Sequence, residues 1–290
     1  MNEQRIDGAV AYPGEPGSFA EEAALAIGGG LAPPRGAAGF REVFTAVSDG
    51  SAAAGVLPIE NVLGGTVRET YDLLLEFELV IVGEVIVPVR LCLAAVPGQR
   101  LDQVERVYSH VQALAQAERF LRTRAWTLLT TYNTAAAARM VAERGERGAA
   151  AVVSPRAAER YGLEVLAAGI EDTPDDRTRF LVVARPDGWT PGAVAGTAPA
   201  GARPMRTTLV LGLANEPGSL VRALRVLAEG GLNMSKLESR PLRGRAWQYV
   251  FWIDLDADAV EPGVAATLGR LSEAVSFLRV LGSYPRAASA

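Results

Sequence analysis

Residues Pro186 to Met205 read PDGWTPGAVAGTAPAGARPM, and how this stretch is read decides how the rest of the chain is parsed. Pro, Gly and Ala dominate it, and nothing in it recurs at a helical or strand period, so it reads as a linker. It leaves a unit at 1–185 before it and a smaller unit at 206–290 after it.

The smaller unit orders its elements plainly. Thr207–Ala214 predicts a strand, Ser219–Glu229 a helix, Asn233–Arg240 and Ala246–Leu255 two strands, Ala265–Phe277 a helix and Arg279–Tyr284 a strand. That βαββαβ order is ferredoxin-like. Many functions use this fold, so the order alone assigns none.

In the larger unit, strands and helices alternate. Gly8–Tyr12 predicts a short strand, and Ser18 followed by Glu21 fits a capping box that opens a helix. Gly55–Ile59 predicts a strand, which Pro58 assigns to an edge or an end. After Gly64 and Gly65 comes a helix with Val67, Tyr71, Leu74 and Leu75 on one side. Leu79–Ala95 predicts two extended runs around Gly83 and Pro88. Arg106–Ser109 predicts a strand, followed by a helix from His110 to Leu121. Thr127–Thr131 is the next strand. Asn133 caps a helix that Gly145 ends. Ala150–Val153 is a strand, and Ser154-Pro155 opens another helix. Phe180–Ala184 predicts a buried strand. Such alternation points to an α/β domain with mainly parallel sheets.

Composition narrows the chemistry. A formal net charge of −4 argues against nucleic acid as a partner. No run of 18 apolar residues predicts a membrane span. The opening MNEQRIDGAV lacks a signal-peptide core, so a cytoplasmic location is expected. The chain has one Cys (Cys92), one His (His110) and one Lys (Lys236). That rules out an intrachain disulfide and a Cys/His zinc cluster. Hydroxyls, carboxylates, amides and arginines are left to do the work, and arginine suits carboxylate or phosphate binding.

Four junctions place polar residues where ligands of open α/β sheets bind. The first is Tyr12–Ser18 with Phe19, YPGEPGSF, where Gly17 and the start of a helix can meet an anion. The second is PIENVLGGT, where Glu60 and Asn61 precede a glycine pair and Thr66. The third is Ser109, His110, Val111 and Gln112. The fourth is DDRTRF, Asp175–Phe180, where Thr178 sits between Arg177 and Arg179.

Together these stretches resemble the prephenate dehydratase family. YPGEPGSFAEEAA is similar to its opening motif, GVLPIENVLGGTV to its second, SHVQALAQ to its SHPQALAQ, and DDRTRF to its TRF segment. Past the linker, EPGSLV and LNMSKLESRP resemble the GALV and ESRP segments of the ACT regulatory domain. The chain departs from the pattern at Ser18 (usually Thr), Val62 (Ser), Val111 (Pro), Asp176 (Asn) and Ser219 (Ala).

The resemblance implies conversion of prephenate to phenylpyruvate, with no metal or organic cofactor. It implies a periplasmic-binding-protein-like domain with one lobe at about 1–92 and 172–185, a second at about 93–171, and the substrate in the cleft between them. Thr178 is then the group that assists departure of the hydroxyl. Arg179, or else Arg177, binds a carboxylate. Asn61, Ser18 and the backbone around Gly17 complete an anion cradle. Tyr12, Glu60, Thr66, Ser109, His110, Gln112 and Phe180 stand around it. One condition is attached: strand alternation sends Thr178 and Arg179 to opposite faces, so both reach one ligand only if the strand has not yet begun. The resemblance also implies a phenylalanine effector held by Gly218, Ser219, Leu220, Asn233, Met234 and Glu238–Pro241 (Glu238, Ser239, Arg240, Pro241), between subunits of a homodimer or homotetramer. Three readings remain as rivals: a prephenate decarboxylase, against which the TRF segment argues, an arogenate dehydratase, and a non-catalytic amino-acid sensor.

Overall fold

The computed structural model describes residues 8–27, 32–187, 204–241 and 249–287. Most of the expected linker, 188–203, lies outside the described residues. In chain order the elements begin with β1 (Ala9–Pro13), α1 (Phe19–Ala26), β2 (Ala32–Ala37), α2 (Phe40–Ser48), β3 (Ala54–Asn61), β4 (Gly65–Thr66), α3 (Arg68–Glu76) and β5 (Val80–Pro88). Next come β6 (Cys92–Ala95), β7 (Arg106–Ser109), α4 (Val111–Gln116), α5 (Glu118–Leu121), β8 (Thr127–Thr130), α6 (Thr134–Arg144), β9 (Ala149–Val153), α7 (Pro155–Arg160) and β10 (Glu164–Ala168). The chain continues with β11 (Arg177–Ala184), β12 (Met205–Gly212), α8 (Ser219–Glu229), β13 (Met234–Pro241), β14 (Tyr249–Leu255), α9 (Pro262–Ala274) and β15 (Phe277–Pro285).

Among the described residues the strands form three sheets. The first has the order β2-β1-β3-β11-β5, with β4 paired to β3. The second has the order β10-β6-β9-β7-β8 and the third β13-β14-β12-β15. The chain leaves the first sheet after β5 and returns to its centre as β11.

The first two sheets are mixed rather than mainly parallel, and the third is antiparallel throughout. β1, β2 and β3 are parallel, as are β7, β8 and β9. β11 runs antiparallel to both β3 and β5, and β6 runs antiparallel to β9 and β10. The exceptions border the two segments that cross between sheets. A crossing strand enters its sheet without a helical crossover, and helical crossovers are what make neighbours parallel.

Local signals that depend only on near neighbours agree with the structure. Ser18, Asn133 and Ser154 cap α1, α6 and α7 with their side-chain oxygens, and Gly145 ends α6 at φ 55°. The Ser18 box is one-sided, because Glu21 accepts from the Gly17 N–H instead of closing back on Ser18. Pro58 lies within β3 and not at its end, opposite Phe180 where the β3–β11 register slips. A bulge of this kind tolerates a strand residue without an N–H. The helix expected over 110–121 is broken at Ala117, φ −116°. There Asp172 donates its N–H to the Gln116 carbonyl, and its carboxylate accepts from the Arg119 N–H.

The third sheet packs against other elements on both faces. Leu209, Leu211, Ile253 and Leu255 pack under α8 and α9. The alternate residues Val210, Val250 and Trp252, with Leu281 and Tyr284, join Leu57, Ile59, Leu79 and Ile81 of the first sheet in one core. Period-2 alternation therefore gives each strand one face for its own helices and one for the neighbouring sheet. Gly282 marks a close approach, since a Cβ there would collide with the Ile81 carbonyl. No helix of the described residues is long and apolar enough to cross a membrane.

Candidate active site

A cleft of about 400 Å³ opens where the first and second sheets face each other. Phe19, Phe40 and Thr134 are the first residues of α1, α2 and α6, and Val67 and His110 are the N-caps of α3 and α4. All of them line this cleft. Each helix start carries unpaired N–H groups and a partial positive charge. Among the described residues, the lining contains no Arg, Lys, Asp or Glu. Any positive potential in this cleft therefore comes from backbone N–H groups and not from cationic side chains.

Thr178 and Asn61 form the polar floor. They are directly opposed on β11 and β3, and Asn61 Nδ2 donates to Thr178 Oγ1 at 3.0 Å. The same amide group donates to Asp176 Oδ1 at 2.8 Å. Asn61 Oδ1 accepts from the N–H groups of Leu63 and Gly64, which folds the glycine turn against the floor. Asp176 Oδ2 accepts from Gln116 Nε2 at 2.6 Å. Burial raises the Asp176 carboxyl above the usual carboxylate range, and the bond from Asn61 works against that rise.

His110 Nδ1 accepts from the Gln112 N–H at 3.3 Å. Desolvation lowers the imidazole pKa from 6.5, which favours the neutral ring. With Nδ1 accepting, the neutral ring carries its hydrogen on Nε2 and acts there as a donor. Gln112 Nε2 reaches toward Asn61 Oδ1 at 3.5 Å.

Of the residues picked from the sequence, Asn61, Thr66, His110, Gln112 and Thr178 line the cleft. The others do not. Ser18 spends its oxygen on the Glu21 N–H. Gly17 is held between lobes: its N–H goes to Glu21 and its carbonyl accepts from Ser154 Oγ. Tyr12 donates to Glu21 from a buried position that pushes its pKa up to about 12, chiefly by desolvation. Ser109 donates to the Val152 carbonyl, and Phe180 is core. Val62 and Val111, two of the departures from the family pattern, are exposed and do not line the cleft.

The expectation for Arg179 is corrected. β11 already begins at Arg177, so Thr178 and Arg179 point to opposite faces. Arg179 turns away from the cleft toward Asp254 Oδ2 at 2.7 Å, Glu60 at 2.9 Å and Glu84 at 3.4 Å. Glu60 faces the same way and also pairs with Lys236. Arg177 lines a separate cavity with Arg179 and Arg206.

The expected effector segment is likewise divided by alternation. A pocket in the C-terminal unit is lined by Ser219, Leu220, Ser239, Tyr249 and Phe251 among others. Glu238 and Arg240 lie on the other face of β13, where Glu238 accepts from Thr66 and Arg240 pairs with Asp72. Asn233 donates to Asp256, Met234 packs under the helices, and Pro241 is exposed, all outside that pocket. Gly218 is the left-handed N-cap of α8, one residue before Ser219.

Sequence reasoning missed Asp176 and Gln116 as parts of the floor, and the helix starts at Phe40 and Thr134. Asp176 carried a signal, because it stands two residues before Thr178 and so on its side of a strand. The others are brought together only by the folding of the lobes.

Comparison with known proteins fits this geometry. The family profile described as prephenate dehydratase matches residues 10–188. A bifunctional chorismate mutase/prephenate dehydratase of Aquifex aeolicus is 38% identical over 280 residues, covering 96% of this chain and 74% of that protein. A chloroplastic arogenate dehydratase of Arabidopsis thaliana is 39% identical over 298 residues, covering 95% and 67%. A solved structure described as GqqA, a quorum-quenching acylase, is 34% identical with TM-score 0.85, covering 97% and 98%. The prephenate dehydratase of Arthrobacter aurescens in complex with L-Phe is 31% identical with TM-score 0.83, covering 96% and 90%.

Proposed function

Because this chain belongs to the prephenate dehydratase family, we propose that it converts prephenate to phenylpyruvate in phenylalanine biosynthesis, and that its C-terminal unit is an ACT domain that binds phenylalanine. The observation that carries the catalytic reading is the Thr178–Asn61 pair on the floor of a cleft where helices begin.

The reaction needs little chemistry from the protein. The electron pair of the breaking C–C bond enters the ring as carbon dioxide leaves, and the ring expels its hydroxyl, which takes one proton, supplied in net by solvent, and departs as water. Aromatisation supplies the driving force. Asn61 donates to Thr178 Oγ1, so the threonine's own hydrogen is free for the departing hydroxyl. A threonine hydroxyl is too weak an acid to give up its proton early. Its contribution is a hydrogen bond that strengthens as the leaving oxygen gains charge. The helix starts hold the two carboxylates, each helix contributing about 0.3–1 kcal/mol. His110 Nε2 supplies one more donor.

The lobes are read as 1–92 with 172–185, and 93–171, with the regulatory unit at 206–290. The phenylalanine pocket is the one beside Ser219, Leu220 and Ser239. Exposed Leu237, Tyr249, Phe277 and Val280 on the third sheet support pairing of subunits through that unit. A cytoplasmic location suits a chain whose one thiol, Cys92, is buried.

The test is product formation by the purified full chain, given prephenate or arogenate in parallel, with phenylalanine titrated in. Phenylpyruvate, read by its absorbance in base, supports the proposal. A non-aromatic decarboxylated product, or turnover of arogenate alone, overturns it in favour of the rival concerned. Binding without turnover leaves the sensor. Ser239→Ala should raise the phenylalanine concentration needed for half its effect.

A further inference from the structure

The two polar residues of the cleft floor have chain neighbours that meet on the other side of the sheet. Thr178 is bonded to Asn61 on the cleft face, and Arg179 is paired with Glu60 on the opposite face. That opposite face is where the C-terminal sheet docks. Asp254 of β14, 2% exposed, accepts from Arg179, and Lys236 of β13 donates to Glu60. Arg206 of β12 reaches Glu84 of β5 at 2.6 Å. Asp254 is itself fixed by Thr208, whose hydroxyl also meets Tyr284.

Charge balance depends on the docking. Arg179, Glu60 and Glu84 belong to the first sheet, one cation against two anions. The C-terminal sheet adds Arg206, Lys236 and Asp254 around them, two cations and one anion, and Lys236 continues the network to Glu238, Arg240 and Asp72. Buried charges of this kind are tolerated only when paired, so Arg179 and Glu84 of the first sheet depend on the C-terminal sheet for part of their pairing.

We propose that Asp254 and Lys236 are positioning residues for the Thr178–Asn61 pair, acting through Arg179 and Glu60 across the thickness of the sheet; this rests on the dehydratase reading of the cleft. Thr178 and Arg179 share a peptide bond, as do Asn61 and Glu60, so a shift in the outer pair turns the inner pair. Displacements of about 1 Å at a reacting group cost about 100-fold in rate. A second tie runs the same way, since Thr66 on the cleft wall donates to Glu238 Oε2 at 2.7 Å. β13 thus carries Lys236 and Glu238 toward the catalytic sheet and Ser239 toward the pocket read as the effector site. Effector binding that moves β13 acts on the catalytic floor by this route, and the coupling is read in kcat, where it need not be symmetric between the two sites.

The test compares Asp254→Asn and Lys236→Gln with the wild-type full chain. Asp254→Asn keeps shape and an acceptor for Thr208 but removes the charge. The expected result is a fall in kcat of about 10-fold or more, with KM changed less than about 3-fold. In a Thr178→Val background the same change should lower the residual rate less than about 2-fold, because no hydroxyl is left to misplace. Equal losses in both backgrounds would mark a general structural role and overturn the proposal, as would wild-type kcat in both single variants. Amide hydrogen exchange gives a readout independent of turnover: exchange should quicken at 60–64 and 177–179 but not along α6. If the wild-type chain does not consume prephenate while exchange changes as expected, the dehydratase reading fails and the coupling stands. Unchanged exchange at the floor removes the coupling whatever the activity.

Discussion

Asn61 Nδ2 donates to Thr178 Oγ1 at 3.0 Å, and the residues next to each in the chain, Glu60 and Arg179, form an ion pair at 2.9 Å on the reverse of the sheet. One cross-strand step thus serves two surfaces. On the cleft side it orients a hydroxyl. On the other side it anchors the C-terminal sheet.

Thr178→Val keeps the β-branched shape and removes the hydroxyl. It should lower kcat by about 100- to 10,000-fold, the range for a positioned proton or hydrogen-bond donor, with little change in melting temperature. Thr178→Ser should retain most of the rate. Steady-state phenylpyruvate assays with a thermal melt of each variant check this; a Val variant at wild-type rate would remove Thr178 from the mechanism.

Asn61→Asp puts a second carboxylate 2.8 Å from Asp176 Oδ1, where a donor now stands. Two carboxylates that close cannot both ionise, so the pair holds a proton with a pKa above the unfolded value. The folded state then binds more protons than the unfolded state, and stability is regained as pH falls through that raised value. The variant should lose about 2 kcal/mol at pH 7 and recover part of it by pH 5. Urea melts at the two pH values read this directly.

His110 is the sole histidine of the chain, so its imidazole gives one assignable NMR signal. Its pKa is lowered from 6.5 by desolvation, and protonation of Nδ1 would set two donors against each other at Gln112. The unfolded state therefore takes the proton first. The stability this contributes is present above about pH 6.5 and is lost as pH falls toward the folded pKa. The signal should titrate below 6.5 in the folded protein. A midpoint at or above 6.5 would mean the ring is not desolvated as described.

Gly282→Ala tests the docked sheet. A Cβ there meets the Ile81 carbonyl, a backbone atom that cannot rotate away. β15 must shift, at about 1–3 kcal/mol. If Asp254 positions the floor, this variant should also show a lowered kcat at unchanged KM. A stable variant with wild-type kcat would show that the docking tolerates more slack than the contact implies.

Much of the candidate site could be located in the sequence because its signals are local. The caps at Ser18, Asn133 and Ser154, the left-handed stop at Gly145 and the strand of Arg106–Ser109 depend on a few neighbouring residues. So did the position of Thr178 at the mouth of a strand. What could not be read was which side of the sheet each residue serves. The strand was expected from Phe180 and begins at Arg177, and those three residues decide whether Arg179 meets the substrate or the C-terminal unit. Likewise, Glu238 and Ser239 are neighbours in the ESRP segment yet face different partners.

By itself the sequence determined the α/β and βαββαβ units, the scarcity of Cys, His and Lys, and the polar residues at strand ends, because periodicity, capping and composition are properties of short stretches. Only the tertiary structure decided that β11 inserts antiparallel between β3 and β5, that the starts of α1, α2, α3, α4 and α6 converge on one cleft, and that Arg179 completes an ion cluster with Asp254. Those arrangements join residues such as Asn61 and Thr178, 117 positions apart, and the pairing that fixes them is set by burial of two sheet faces at once, which no local pattern records.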